Sequence, residues 1–251
     1  MKTFFRSIIL VALLGLGIRG SAAETGVPVA PLPDLVSLRA KLARTKDPLT
    51  WVITGDSITH GAKWLGRERS YPEIIQERVR TELNRRRDFF INSAISGERT
   101  PGLLGDFEWR VLRFKPDVVS IMIGMNDARE DMTTPEKFVA NVREMIGKVR
   151  AAGAIPILHR TNPIDSEKES TKTRLAKLPL VNEIIAKVAK SEQVILVDHW
   201  TFWQEARPDL PQLREWLADP IHPNGAGHRQ FAILFFKAIG VYDPASFTCQ
   251  P

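Results

Sequence analysis

Apolar and polar positions along this chain follow two different periods. Short runs of consecutive apolar, often β-branched residues predict strands over 50–54, 89–93, 117–123, 155–159 and 194–197. Between them, apolar positions at helical spacing predict helices over 71–84, 107–114, 135–152, 178–191 and 225–239. Gly153 stops the helix that precedes it. A short amphipathic helix over 34–45, with Asp34 as its N-cap, covers the sheet ahead of the first strand. Strands apolar on both faces, alternating with helices, imply an α/β protein: a three-layer α/β/α sandwich with a parallel sheet in the middle. The charged stretch 165–177 reads as a solvated loop leading into a helix.

The first residues break this pattern. Lys2 and Arg6 precede an apolar stretch over 7–18, and Ser21-Ala22-Ala23 offers small residues for cleavage before Glu24. That is the pattern of a secretory signal peptide over 1–23, and the apolar stretch is shorter than the roughly 20 residues a membrane anchor needs. Pro28, Pro31 and Pro33 make 24–33 an extended lead-in, and 34–251 is left as a single domain. No stable membrane insertion is expected after cleavage, and the mature protein is expected to be secreted or periplasmic. Removing Lys2, Arg6 and Arg19 lowers the formal charge from +6 to +3, which is not by itself a nucleic-acid signature. The single cysteine, Cys249, cannot form an intramolecular disulfide, so stability must come from packing.

Candidate chemistry sits where strands end. The run Leu-Thr-Trp-Val-Ile-Thr over 49–54 stops abruptly at Gly55-Asp56-Ser57, which places Ser57 on a strand-to-helix turn at the carboxyl edge of the sheet. A serine there exposes its hydroxyl and offers its own N–H to a developing oxyanion. Ser96-Gly97 follows the second strand, and a glycine there lets the backbone approach a ligand. Gly124-Met125-Asn126-Asp127 follows the third, where the Asn126 amide can donate a hydrogen bond. Asp219-Pro220-Ile221-His222 precedes the last helix, and a carboxylate three residues upstream can hold imidazole Nδ1–H, leaving Nε2 to take the serine proton.

These four blocks, in this order, resemble the SGNH hydrolases, the GDSL-like esterases and lipases. Ile58 replaces the last leucine of the name motif, and Ala94 stands where a glycine is often seen; neither change removes a functional group. The resemblance implies a flavodoxin-like five-stranded parallel sheet. It implies Ser57 as nucleophile, His222 as general base and then acid, and Asp219 as the group that orients His222. It implies an oxyanion hole from the N–H of Ser57, the N–H of Gly97 and the side chain of Asn126, with no metal or organic cofactor.

Other readings stand beside this one. Asp56, Asp127, His60, Asp219 and His222 are also oxygen and nitrogen ligands for a metal-dependent phosphoesterase, although such a site has no use for Gly97 and Asn126. A non-catalytic glycan-binding module on the same fold would be expected to have lost Ser57 or His222. Among esters, the choice lies between a small acyl group, acetyl above all, on a carbohydrate and a lipid acyl chain, as in lysophospholipases and thioesterases. The polar loops favour the carbohydrate: His60, Lys63, Trp64 and Arg67 follow the nucleophile, Arg99 the second block and Arg129 the third. Arg67, Arg69, Arg99, Arg129 and Arg160 together suggest an anionic glycan, unless they pair with the adjacent Glu68, Glu98 and Glu130.

Overall fold

The five apolar runs form five parallel strands in the computed structural model, which describes residues 32–129 and 133–250. They are β1 (Thr50–Gly55), β2 (Phe89–Asn92), β3 (Val118–Met122), β4 (Ile155–His159) and β5 (Ile195–Val197), in the spatial order β2-β1-β3-β4-β5. Helices Pro33–Ala43, Tyr71–Glu77 and Gly225–Ile239 gather on one face, and Thr100–Gly105, Pro135–Ala151 and Leu178–Ser191 on the other. This is the three-layer α/β/α sandwich that the alternating periods imply, with the flavodoxin-like strand order. β3 and β4 are buried along their whole length, as continuous apolar runs require, while β2 is an edge strand whose Phe89 is 63% exposed.

The strand order fixes where chemistry can happen. From β1 the chain winds outward to β2, then crosses back to β3 on the other side, so a crevice opens at the carboxyl ends of β1 and β3. Gly55 pairs with Met122 at that edge and has φ +155°; a Cβ on it would collide with the Met122 carbonyl oxygen. Only glycine lets the two strands run side by side to the turn that carries Ser57.

Several expected elements differ in detail. The first helix begins at Pro33 with Leu32 as its cap, because proline fits the first helical turn, where its missing N–H has no acceptor to lose. Asp34 therefore lies inside that turn and pairs with Arg150 at 2.7 Å. The helix expected over 71–84 is α-helical only for Tyr71–Glu77; it continues as one wider π-helical turn, Arg78–Glu82, and ends at Asn84 with φ +53°. The segment 107–114 breaks into Phe107–Arg110 and the 3-10 turn Leu112–Phe114. The stretch 165–177 is largely exposed and leads into the helix Leu178–Ser191, as expected, but it is pinned at Asp165, which is buried and bonded by Arg214 at 2.7 Å, and it contains a helical turn, Lys172–Leu175. Helices His199–Ala206 and Leu210–Arg214 follow β5 without a periodic signal long enough to reveal them.

The expected signal peptide over 1–23 and all of the expected lead-in before Leu32 lie outside the described residues. Among those described, no helix is long and apolar enough to cross a membrane.

Candidate active site

Ser57 is the first residue of a single helical turn, Ser57–His60, that starts directly after β1. Asp56 caps the turn, its Oδ1 accepting the Ile58 N–H at 3.0 Å. As the first residue of the turn, Ser57 has an N–H without an intrahelical acceptor, available to an anion. Asp56 is fully buried, and that burial pushes its carboxyl up to about 7.

The imidazole comes from a tight hairpin. Ala218 N–H donates to the His222 carbonyl at 2.8 Å, and Leu217 and Pro223 form an antiparallel bridge around the turn. Within it, Asp219 Oδ1 accepts the N–H groups of Ile221 and His222, each at 2.8 Å, and the carboxylate contacts His222 Nδ1 at 2.8 and 2.9 Å. His222 Nε2 lies 2.9 Å from Ser57 Oγ. The three residues form a continuous chain in which Asp219 fixes the tautomer that leaves Nε2 able to accept the serine proton. Asn162 Nδ2 donates to the Ile221 carbonyl at 3.0 Å, and Glu68 Oε2 accepts the Gly225 N–H at 2.7 Å, tying the hairpin to the loops after β4 and β1.

Electrostatics favour a neutral His222 imidazole. Burial lowers the His222 pKa and outweighs the raising effect of Asp219, with Arg174 and Lys63 adding to the depression. Burial alone would raise Asp219, but its two backbone donors and His222 bring it below the usual carboxylate range.

The second and third blocks are knit to the same edge. Ile95 N–H donates to the Gly55 carbonyl at 3.1 Å, and Glu98 N–H closes a turn onto the Ile95 carbonyl at 3.2 Å. Gly97 holds the third position of that turn with φ +82°, a conformation that favours glycine. Asn126 Nδ2 donates to the Glu98 carbonyl at 3.1 Å, one residue beyond Gly97. Asp127 braces both blocks, accepting from Thr100 Oγ1 at 2.6 Å and Thr133 Oγ1 at 2.8 Å.

The expected substrate residues fall into two groups. Trp64 lies face to face on the His222 ring, and Lys63 Nζ sits 5.1 Å from the indole centroid. His60 is exposed, has Nδ1 3.0 Å from Ser96 Oγ, and borders a cleft of about 350 Å³ with Leu65, Glu68, Phe90 and Asn92. Arg67 is exposed on the same loop, and Arg99 and Arg129 are half-buried at the ends of their blocks. Arg69 instead pairs with Glu77, and Arg160 with Asp198 at 2.9 Å. Of the adjacent acids, Glu68 binds the Gly225 N–H and Glu98 pairs with Arg110, while Glu130 lies outside the described residues.

One residue at the site carries no sequence signal. Arg174, half-buried in the turn Lys172–Leu175, donates from Nη2 to Asn126 Oδ1 at 3.3 Å and from Nε to the Met125 carbonyl at 3.2 Å. Burial and the neighbouring Arg129 hold it below the usual arginine range. Among the described residues, no group of three or more His, Cys, Asp or Glu side chains is placed to hold a metal ion.

Comparisons with known proteins bear on the family and the fold. The model of the GDSL-like lipase/acylhydrolase family matches residues 53–230, which include all four blocks. An acetylxylan esterase from Geobacillus stearothermophilus is 26% identical over 160 residues, covering 60% of this chain and 71% of the relative. The crystal structure of an acetylxylan esterase from the same organism superposes with a TM-score of 0.64 at 23% identity, over 76% of this chain and 94% of the other. An alpha/beta hydrolase enzyme from the metagenome of Lake Arreo, Spain, superposes with a TM-score of 0.64 at 24% identity, over 77% of this chain and 95% of the other. These two likenesses show the fold.

Proposed function

The chain belongs to the GDSL-like lipase/acylhydrolase family and is a carboxylic ester hydrolase, and from that premise we propose that it is a secreted serine esterase removing a small acyl group, acetyl above all, from a carbohydrate. The observation that carries the reading is the chain Ser57 Oγ, His222 Nε2, His222 Nδ1, Asp219, closed by contacts of 2.9 and 2.8 Å.

Ser57 Oγ attacks the ester carbonyl carbon while its proton passes to His222 Nε2, and Asp219 stabilises the imidazolium that forms. The carbonyl oxygen becomes an oxyanion held by the N–H groups of Ser57 and Gly97 and by Asn126 Nδ2–H. When the intermediate collapses, the C–O bond to the sugar breaks and the imidazolium returns its proton to the leaving hydroxyl. Water then attacks the acyl-serine, with His222 again taking and returning a proton, and releases the carboxylic acid. The chemistry asks for no metal and no organic cofactor.

The carbohydrate side of the ester is supported by the cleft beside His60. Its walls combine Phe90 and Leu65 with Glu68, Gln76 and Asn92, a mixture suited to the faces and hydroxyls of a sugar. The acetylxylan esterase relative points the same way. The signal-like residues 1–23 fit an enzyme that meets a polymer outside the cytoplasm.

Acetate release by the mature protein from a panel of acetylated polysaccharides, set against hydrolysis of long-chain acyl esters, tests the reading. Release from at least one polysaccharide at a kcat/KM well above that for the long-chain esters is expected. Preference for the long-chain esters would reassign the enzyme to lipid substrates.

A further inference from the structure

Asn126 has an amide whose two ends look alike in shape but differ in chemistry, and only one orientation serves an oxyanion. With Nδ2 toward the reacting carbonyl it donates; turned over, it presents an oxygen that repels the developing charge. Two contacts hold it. Nδ2 spends one hydrogen on the Glu98 carbonyl at 3.1 Å, and Oδ1 accepts from Arg174 Nη2 at 3.3 Å. Guanidinium only donates and a carbonyl only accepts, so a flipped amide would set donor against donor at Arg174 and acceptor against acceptor at Glu98.

Arg174 is itself held in place. Its Nε donates to the Met125 carbonyl at 3.2 Å and its Nη1 to the Ser170 carbonyl at 3.4 Å, so the guanidinium bridges the Asn126 loop and the turn before the helix Leu178–Ser191. These contacts seat the fork on the side of Asn126 away from the Glu98 carbonyl. A cation bonded to Oδ1 also draws electron density from the amide and strengthens the remaining Nδ2–H as a donor.

We infer that Arg174 is a positioning residue for the oxyanion hole: through its bond to Asn126 Oδ1 it fixes the amide with Nδ2–H toward the oxyanion and polarises it. This rests on the serine-esterase reading of the same site. Arg174 touches no reacting atom; apart from its part in depressing the His222 pKa, which does not affect rates measured on the pH plateau above the acid limb, its contribution passes through Asn126 and vanishes when Asn126 is absent.

The test is a double-mutant cycle on hydrolysis of a neutral aryl acetate, with kcat and KM measured separately for Asn126→Ala, Arg174→Ala and the double variant. Asn126→Ala is expected to lower kcat by about 10²–10³-fold. Arg174→Ala is expected to lower kcat by about ten- to a hundredfold with KM changed less than about threefold, and the double variant to match Asn126→Ala within about threefold. Arg174→Lys restores a cationic donor and should recover part of kcat, whereas Arg174→Met keeps the apolar stem and should not. These two variants carry the test if Arg174→Ala unfolds, which a thermal melt reports. Losses that multiply in the double variant, or an unchanged kcat in Arg174→Met, would overturn the inference while leaving Asn126 in its role. An unchanged kcat in Asn126→Ala would instead remove the oxyanion role of Asn126, and the inference with it.

Discussion

The indole of Trp64 lies flat on the imidazole of His222, with ring centroids 3.7 Å apart and planes within 14°. The stack shields one face of the base from solvent, and burial is the largest cause of the depressed His222 pKa. Two pH profiles follow. In the native enzyme kcat/KM should rise with pH through an apparent pKa below the usual histidine value of about 6.5. In Trp64→Ala, where the ring is exposed, that rise should move up toward the ordinary value and kcat should fall as the imidazole gains freedom. An identical acid limb in the two proteins would show that Trp64 does not shield the base.

Three further histidines are buried away from the site, and they set how the fold responds to acid. His159 Nε2 lies 2.7 Å from Ser120 Oγ and its Nδ1 lies 2.9 Å from His199 Nε2, while His228 Nδ1 accepts the Tyr71 N–H at 3.0 Å. Burial lowers His159 and His228 to about 3 and holds His199 well below its ordinary value. Unfolded, each takes up a proton below about 6.5, so each weakens the fold by about 1.4 kcal/mol for every further pH unit. Asp56, raised to about 7, works the other way: its folded form keeps a proton that the unfolded chain releases above about 4. Asp127 is also raised by burial and adds to that opposition. Three protons outweigh two, so urea titrations at pH values from about 6.5 down to about 5 should show declining stability. Stability that is flat or rises over that range would contradict the assignment.

Much of this architecture is legible in the sequence because apolar runs report strands that are buried on both faces. β3 and β4 are buried throughout, and their runs predict them within a residue or two at each end. The residues that follow β1, β2 and β3, and those before the last helix, are likewise legible, since topology alone brings strand ends to one edge. What escaped is nonlocal. Arg174 stands 48 residues from Asn126, in a stretch so charged that solvation is the natural expectation. Glu68 reaches Gly225 rather than the arginines beside it, because a carboxylate at a helix N-terminus meets N–H groups and a favourable dipole at once.

That contact gives a test of how the hairpin is held. Glu68→Ala removes the acceptor from the first N–H of the helix Gly225–Ile239, just beyond His222. A stability loss of about 1 kcal/mol is expected, with a several-fold drop in kcat/KM as the hairpin loosens. Glu68→Gln, which keeps an acceptor oxygen, should lose less of both. Equal behaviour of the two variants would show that the carboxylate does not tether the loop.

Chelation separates the serine mechanism from metal-assisted hydrolysis. Extended dialysis against a strong chelator should leave kcat unchanged, because the nucleophile, base and oxyanion donors are all side-chain or backbone groups of the chain itself. Loss of activity that added divalent metal restores would revive the phosphoesterase reading.

The central claim is that Ser57 is the nucleophile activated by His222, and the most direct measurement is steady-state hydrolysis of an aryl acetate by Ser57→Ala and by Ser57→Ala/His222→Ala. The account predicts that kcat falls by about 10⁴-fold or more in the single variant and little further in the double, since members of one catalytic unit are not additive. Turnover by folded Ser57→Ala within about tenfold of the native enzyme would contradict it.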